Sequence, residues 1–309
     1  MKTLTTTIVM HKLFQCPFIY RILHVQSTIT KAILTGLLSV LLFFSCSDEY
    51  VKEEGESKLV IEGWIEECDV AHVLLSRSIK VSELIDSSNY MQHAIKSSMV
   101  IVSDDTESDT LRLTYSSKYS IPFLYTGEKI IGKTGGKYKL TVKHFDKIYT
   151  AETTIPPSVP IDKVEFLRKN SADTVGNIAI EFKHPEGEHG YYQISTMLYG
   201  FDEIFVPCLY ANFNSQNFPS SDVRIELTRG ITIFPKVSFH SYFIEGDTIF
   251  VKLRTMPKEG FDFWNQWQNE IINAQNPIFP ANKSLKSNIS GGIGIWCGYG
   301  YNIRRIIVK

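Results

Sequence analysis

Cysteine is scarce in this chain of 309 residues, with five in all. Downstream of residue 46 only Cys68, Cys208 and Cys297 remain, widely spaced and with no CxxC pair. That excludes a disulfide framework and a cysteine zinc site, and the expectation is three buried thiols. HExxH and any other helical histidine pair are missing, as are a GxSxG elbow and a nucleophilic-cysteine motif with its histidine. The zincin, α/β-hydrolase and papain-like readings therefore fall away. No internal repeat of fixed period is present, which excludes a solenoid or propeller. A basic cluster is lacking as well. The formal net charge is −1, and because residues 1–45 hold Lys2, Lys12, Arg21 and Lys31 and no acid, the remainder nets −5. A mildly acidic chain with scattered charges argues against nucleic acid as a partner. It argues equally against electrostatic adhesion to an anionic membrane.

What is present begins with an export pattern. Lys31 precedes thirteen uncharged, mostly apolar residues at 32–44, AILTGLLSVLLFF, then the small Ser45, then Cys46. A spanning helix needs about 20 apolar residues, so this run reads as a removable secretory signal. Cys46 occupies the position that becomes the lipid-carrying first residue of a mature bacterial lipoprotein. The acidic, polar stretch SDEYVKEEGES follows it without periodicity, as a tether does. We assign residues 1–45 to leader and signal and 46–57 to the polar tether. A leader of 45 residues exceeds the usual 15–30, which points to a translation start nearer 29–31. The expected location is the outer membrane, lipid-anchored, with the cell surface favoured over the periplasmic face because the acidic run after the cysteine resembles the surface-export signal of Bacteroidota lipoproteins.

Behind the tether, short runs alternate with period two and break at Gly, Asp and Ser, the signature of antiparallel strands. KLVIEGWIEE at 58–67, VAHVLLS at 70–76 and SMVIVS at 98–103 read as strands, with LRLTY at 111–115 as the return partner of the last. KYKLTV and KIYTAET read as a hairpin across residues 144–146. These fit an immunoglobulin-like or transthyretin-like β-sandwich over 58–155. IPPSVP then places three prolines in five positions, and we take 156–160 as an extended linker. A second β-rich domain follows over 161–309, built from strands such as NIAIEFKHP, GYYQISTMLYG and DTIFVKLRTM, and from a final strand YNIRRIIVK. It holds one helix at 260–274, GFDFWNQWQNEIINA, with an apolar stripe at three- and four-residue spacing and Asp262 as its N-cap. The fold class is mainly β.

Four groups of residues invite a chemical reading. His184, Glu186, Glu188 and His189 are metal-ligand types at close spacing, but Pro185 and Gly187 make a turn the simpler account. Asp104, Asp105, Glu107 and Asp109 are oxygen donors without the glycine and terminal glutamate of an EF-hand loop, and read as a solvated hairpin loop. Gly291, Gly292, Gly294, Gly298 and Gly300 lack the following helix that a phosphate cradle needs, and read as close-packing positions. Trp264, Trp267 and Trp296 form the densest aromatic group, suited to core packing or to a recognition platform. No catalytic constellation, metal or cofactor is assigned.

Taken together, KLVIEGWI, GGKYKLTV with KIYTAETTIP, FKHPEGEHGYYQI, GFDFWNQWQNEI, NPIF and SNISGGIGIWCGYG resemble the domain-of-unknown-function 4249 lipoproteins of Bacteroidota across nearly all of the chain after Cys46. The closing SNI-x-GG-x-GI-x-x-GY pattern is the most specific part. The resemblance implies an outer-membrane lipoprotein of the kind encoded beside TonB-dependent receptors, and carries no catalytic residue. The functional expectation is a non-enzymatic, lipid-anchored accessory or ligand-binding partner of such a transporter. The alternatives are a structural or adhesive surface lipoprotein and a surface hydrolase acting on glycan or peptide.

Overall fold

A computed structural model describes residues 57–78, 90–119, 122–168, 170, 172–230, 240–274 and 285–309. Cys46, its signal and most of its tether lie outside the described residues. No described helix is long and apolar enough to cross a membrane.

The chain is mainly β, as its alternation predicts. β1 (Leu59–Glu66) and β2 (Val70–Arg77) form the opening hairpin, and a 3-10 turn at Tyr90–His93 precedes β3 (Met99–Ser103). β4 (Ser108–Thr110), β5 (Arg112–Tyr115), β6 (Phe123–Ile131), β7 (Lys137–His144) and β8 (Lys147–Thr154) complete the first half. β9 (Ile161–Arg168), β10 (Val175–Lys183), β11 (Tyr191–Leu198), β12 (Val206–Asn214), β13 (Asp222–Leu227), β14 (Phe243–Ile244) and β15 (Thr248–Thr255) follow. The helix α1 (Lys258–Ala274) and the long β16 (Ile293–Ile307) end the chain.

Three sheets result: an eight-stranded one in the order β12-β11-β15-β16-β1-β2-β6-β5, and two four-stranded ones, β4-β3-β7-β8 and a sheet of β13, β10, β14 and β9. Inward residues of β1, β2 and β6 meet those of β3, β7 and β8 in one core around Ile61, Ile65, Val73, Val100, Leu140 and Val142. A second core joins β9 and β10 to β11 and β15 around Ile161, Ile178, Ile180, Ile194, Val251 and Leu253.

The prolines at 156–160 pass between the two cores, but they do not divide the sheet. β16 pairs in parallel with β1 from Val60↔Ile293 to Glu66↔Tyr299, then antiparallel with β15 from Thr255↔Gly300 to Thr248↔Ile307. The last strand thus belongs to both halves, and residues 56–309 cluster as a single compact unit. A parallel pairing between the first and last strands leaves no local signal, which is why a linker was the natural reading of the prolines.

Three further expectations change. The return partner of β3 is β4, not 111–115; Arg112–Tyr115 crosses to the other sheet and pairs with β6. Leu111, buried at that corner, points into the first core as the strand changes sheets. The final strand starts earlier than residue 301: β16 begins at Ile293 and takes in Gly294, Gly298 and Gly300. The helix starts earlier than 260, with the Pro257 carbonyl accepting from the Phe261 N–H at 3.2 Å. Asp262 is therefore inside the first turns, where it pairs with Lys258 at 2.6 Å and Lys286 at 3.3 Å, rather than capping them.

Candidate functional site

The aromatic group does not converge. Trp264 and Trp267 lie on α1 with ring centres 5.7 Å apart, and the Trp264 indole donates to the Tyr299 hydroxyl at 2.8 Å. α1 packs Phe263 and Trp264 on one face of β16, over Ile295, Cys297 and Tyr299. Trp296 points to the opposite face, is fully enclosed in the first core, and donates to the Tyr138 carbonyl at 3.0 Å. Alternation along β16 separates them, so Trp296 cannot share a recognition surface with the other two. Trp267, 40% exposed, is the only one of the three that the structure leaves substantially open to solvent.

The polar loops are also occupied internally. His184 spends both ring nitrogens inside the protein, on the Tyr192 hydroxyl at 2.6 Å and the Glu188 carbonyl at 3.0 Å, and Gly187 turns the loop at φ 77°. Asp104 accepts from the Thr106 and Glu107 N–H groups at 2.8 and 2.9 Å, a local turn. Asp109, expected in the solvated loop, is instead buried: its Oδ2 accepts from the N–H groups of Glu128, Lys129 and Ile130 at 2.7, 2.7 and 3.4 Å. Burial alone would raise its pKa, but these donors hold it below the ordinary aspartate value. Among the described residues, no group of three metal-ligand types comes together. The glycines serve packing: a Cβ on Gly294, at φ 131°, would strike the Ile61 carbonyl, and one on Gly298 the Thr154 carbonyl.

The thiols are free. Cys208 and Cys297 are buried, and burial pushes both up to about 12. Cys68 departs from expectation: it is exposed, in the tight β1–β2 turn at φ 61°.

Sequence reasoning missed two sites. The first is a buried charge cluster on the face of the large sheet that α1 also covers. Alternation puts Glu66 of β1 there, and residues 252 and 254 of β15 arrive on the same face. The Glu66 carboxylate accepts from Lys252 Nζ at 2.7 Å and from Arg254 Nε at 2.8 Å, while Arg254 also donates to Gln193 at 3.2 Å. Lys252 lies 4.5 Å from the Tyr301 ring and Arg254 5.0 Å from that of Tyr299. Burial would raise the Glu66 pKa, yet Arg254 and Lys252 draw it below the ordinary value and keep it ionised. Nearby, His72 stacks on Trp64 and has Asp69 3.5 Å from its Nε2; burial lowers its pKa despite that carboxylate. The Glu66 carboxylate is shared by two cations from β15, so the chemistry of the cluster is to join β1 to β15.

The second is a cleft of about 750 Å³ at one end of the first core. Its walls come from the start of β1, the end of β2, residues 94–97 and the turn between β7 and β8. Lys58, Arg77, Lys96 and Lys147 line it against one carboxylate, Asp146. His144 is held to Ser98 at 2.9 Å, and Lys96 stands 3.8 Å over the Phe123 ring. The chain comes in at this wall, where Ser57 and Ser78 exchange side chain and backbone: Ser57 Oγ donates to the Ser78 carbonyl, and the Lys58 N–H to Ser78 Oγ, both at 2.9 Å.

These features define a mainly β protein with two cores on one shared sheet, a charge cluster between its halves, and a basic cleft beside Ser57 and Lys58. Residues 48–305 match the family described as Domain of unknown function (DUF4249), and the chain belongs to that family. No curated protein matches it.

Proposed function

We propose that this chain is a non-enzymatic, lipid-anchored protein of the cell envelope. It is held to the outer membrane through Cys46, surface-exposed, and serves as an accessory or ligand-binding partner of a TonB-dependent transporter. One observation carries the reading: Cys46 ends a charged-then-apolar export run just two residues before the family match begins at residue 48. One lipid chain binds only marginally, so the diacylglycerol and N-acyl chains of a mature lipoprotein would supply the stable anchor. The internal hydrogen bonds of His184, Asp104 and Asp109, and the pairing of Glu66 with Lys252 and Arg254, support binding rather than catalysis.

The mature chain should begin at Cys46 with the mass of its acyl groups, and Cys46→Ser should leave the protein unacylated and released from the membrane fraction by high salt. Cross-linking in intact outer membranes should capture a transporter. A mature chain starting elsewhere overturns the anchor, and a chain that never captures a transporter overturns the partner.

A further inference from the structure

The net charge of the chain after residue 45 is negative, yet the fold gathers cations at one end. Lys58, Arg77, Lys96 and Lys147 are far apart in sequence and share one cleft. None of the four, nor Lys143 beside them, forms an ion pair among the described residues. Some cations elsewhere on the surface are matched, as in Arg112–Glu128, Arg168–Glu245, Lys183–Asp222 and Arg224–Glu165, while others such as Lys129 and Arg305 stand singly among the described residues; the cleft differs in gathering four into one concavity.

The hairpin that forms one wall is also apolar where it should be polar. Phe145 at its tip is 87% exposed and stands at φ 52°, a left-handed conformation that disfavours a bulky side chain. Glycine or asparagine would suit that turn better. On the outer face Lys143 sits between Met99 and Ile148, exposed at 51% and 61%. Exposed aromatic and aliphatic groups ringed by unpaired lysines match an anionic lipid surface, whose phosphates meet the cations while the apolar groups enter the boundary.

We infer that the cleft and the β7–β8 hairpin are a membrane-docking surface, taking lipid phosphate between Lys58, Arg77, Lys96 and Lys147 and inserting Phe145. This rests on the proposed lipid anchor. Ser57 in the cleft wall is eleven residues from Cys46, a tether that reaches at most about 40 Å. Among the described residues the cleft lining holds four cations and one carboxylate, Asp146, a local excess that the chain's overall charge does not reveal.

The test uses the chain from residue 46 with Cys46→Ser, so that docking is measured without acylation. It should sediment with vesicles of phosphatidylcholine mixed with phosphatidylglycerol and not with phosphatidylcholine alone, and salt should weaken the binding. Lys58→Glu with Lys147→Glu should weaken it at least about 25-fold, at about fivefold per cation removed. Phe145→Gly should weaken it about tenfold while leaving the thermal midpoint unchanged or higher, since glycine relieves the left-handed turn. That variant separates docking from folding. Equal binding to both vesicles, or binding indifferent to these substitutions, overturns the proposal. So does binding only to membranes that contain a protein receptor, which would assign the cleft to that receptor. The anchor is judged separately, by the mass of the native mature chain.

Discussion

The Glu66 carboxylate on β1 meets the Arg254 guanidinium on β15 at 2.8 Å, across a sequence separation of 188 residues. The contact ties the first strand of the fold to one of its last, beside the seam where β16 takes up both. Removing the carboxylate leaves two buried cations without the anion they share. Glu66→Ala should therefore cost about 3–5 kcal/mol in urea unfolding. Adding Lys252→Met should recover part of that loss, a coupling that a double-mutant cycle measures.

Asp109 supports the corner where the chain changes sheets. Three backbone donors converge on one of its oxygens, and Asp109→Ala leaves them buried and unmet. We expect a loss of at least about 2 kcal/mol, read from the urea midpoint at unchanged slope.

Stability should fall with acid in two stages. His72, Glu66 and Asp109 each have a folded-state pKa below the ordinary value, so the unfolded chain binds more protons and acid favours it. The His72 share is lost as pH falls below about 6.5, and the carboxylates' share as it falls below 4.5 for Glu66 and 3.8 for Asp109. Urea midpoints measured against pH should show both stages, and His72→Gln should flatten only the upper one.

Thiol reactivity should follow burial. Cys68 is exposed, whereas Cys208 and Cys297 are buried and pushed up to about 12. In the chain from residue 46 carrying Cys46→Ser, a disulfide reagent should modify one thiol in the native state and all three after unfolding.

Gly294 lets β16 lie against β1. Its φ of 131° and the Ile61 carbonyl both exclude a side chain. Gly294→Ala should cost on the order of 3 kcal/mol, and circular dichroism should show an early loss of tertiary signal on heating.

Much of the fold was legible in local pattern. β1, β2, β7, β8 and β15 lie within a residue or two of their alternating runs, because one buried face imposes period two on any strand. The helix followed from its apolar stripe, although its start moved to Lys258, directly after Pro257, which has no N–H to leave unmet. The β3 partner and the start of the final strand were misplaced for one reason: pairing is decided across the sheet, and Leu111 and Gly294 are explained by what faces them.

The candidate residues divide in the same way. His184 was placed in a turn by Pro185 and Gly187, its own neighbours. Asp109 could not be told from Asp104 by composition, since only the approach of β6 turns one inward. The export run, Cys46 and the period-two strands are properties of consecutive residues, and the sequence determined them by itself. The shared sheet, the Glu66–Arg254 pair and the gathering of Lys58, Arg77, Lys96 and Lys147 were decided only by tertiary structure, because each joins residues whose nearness depends on how distant strands pack.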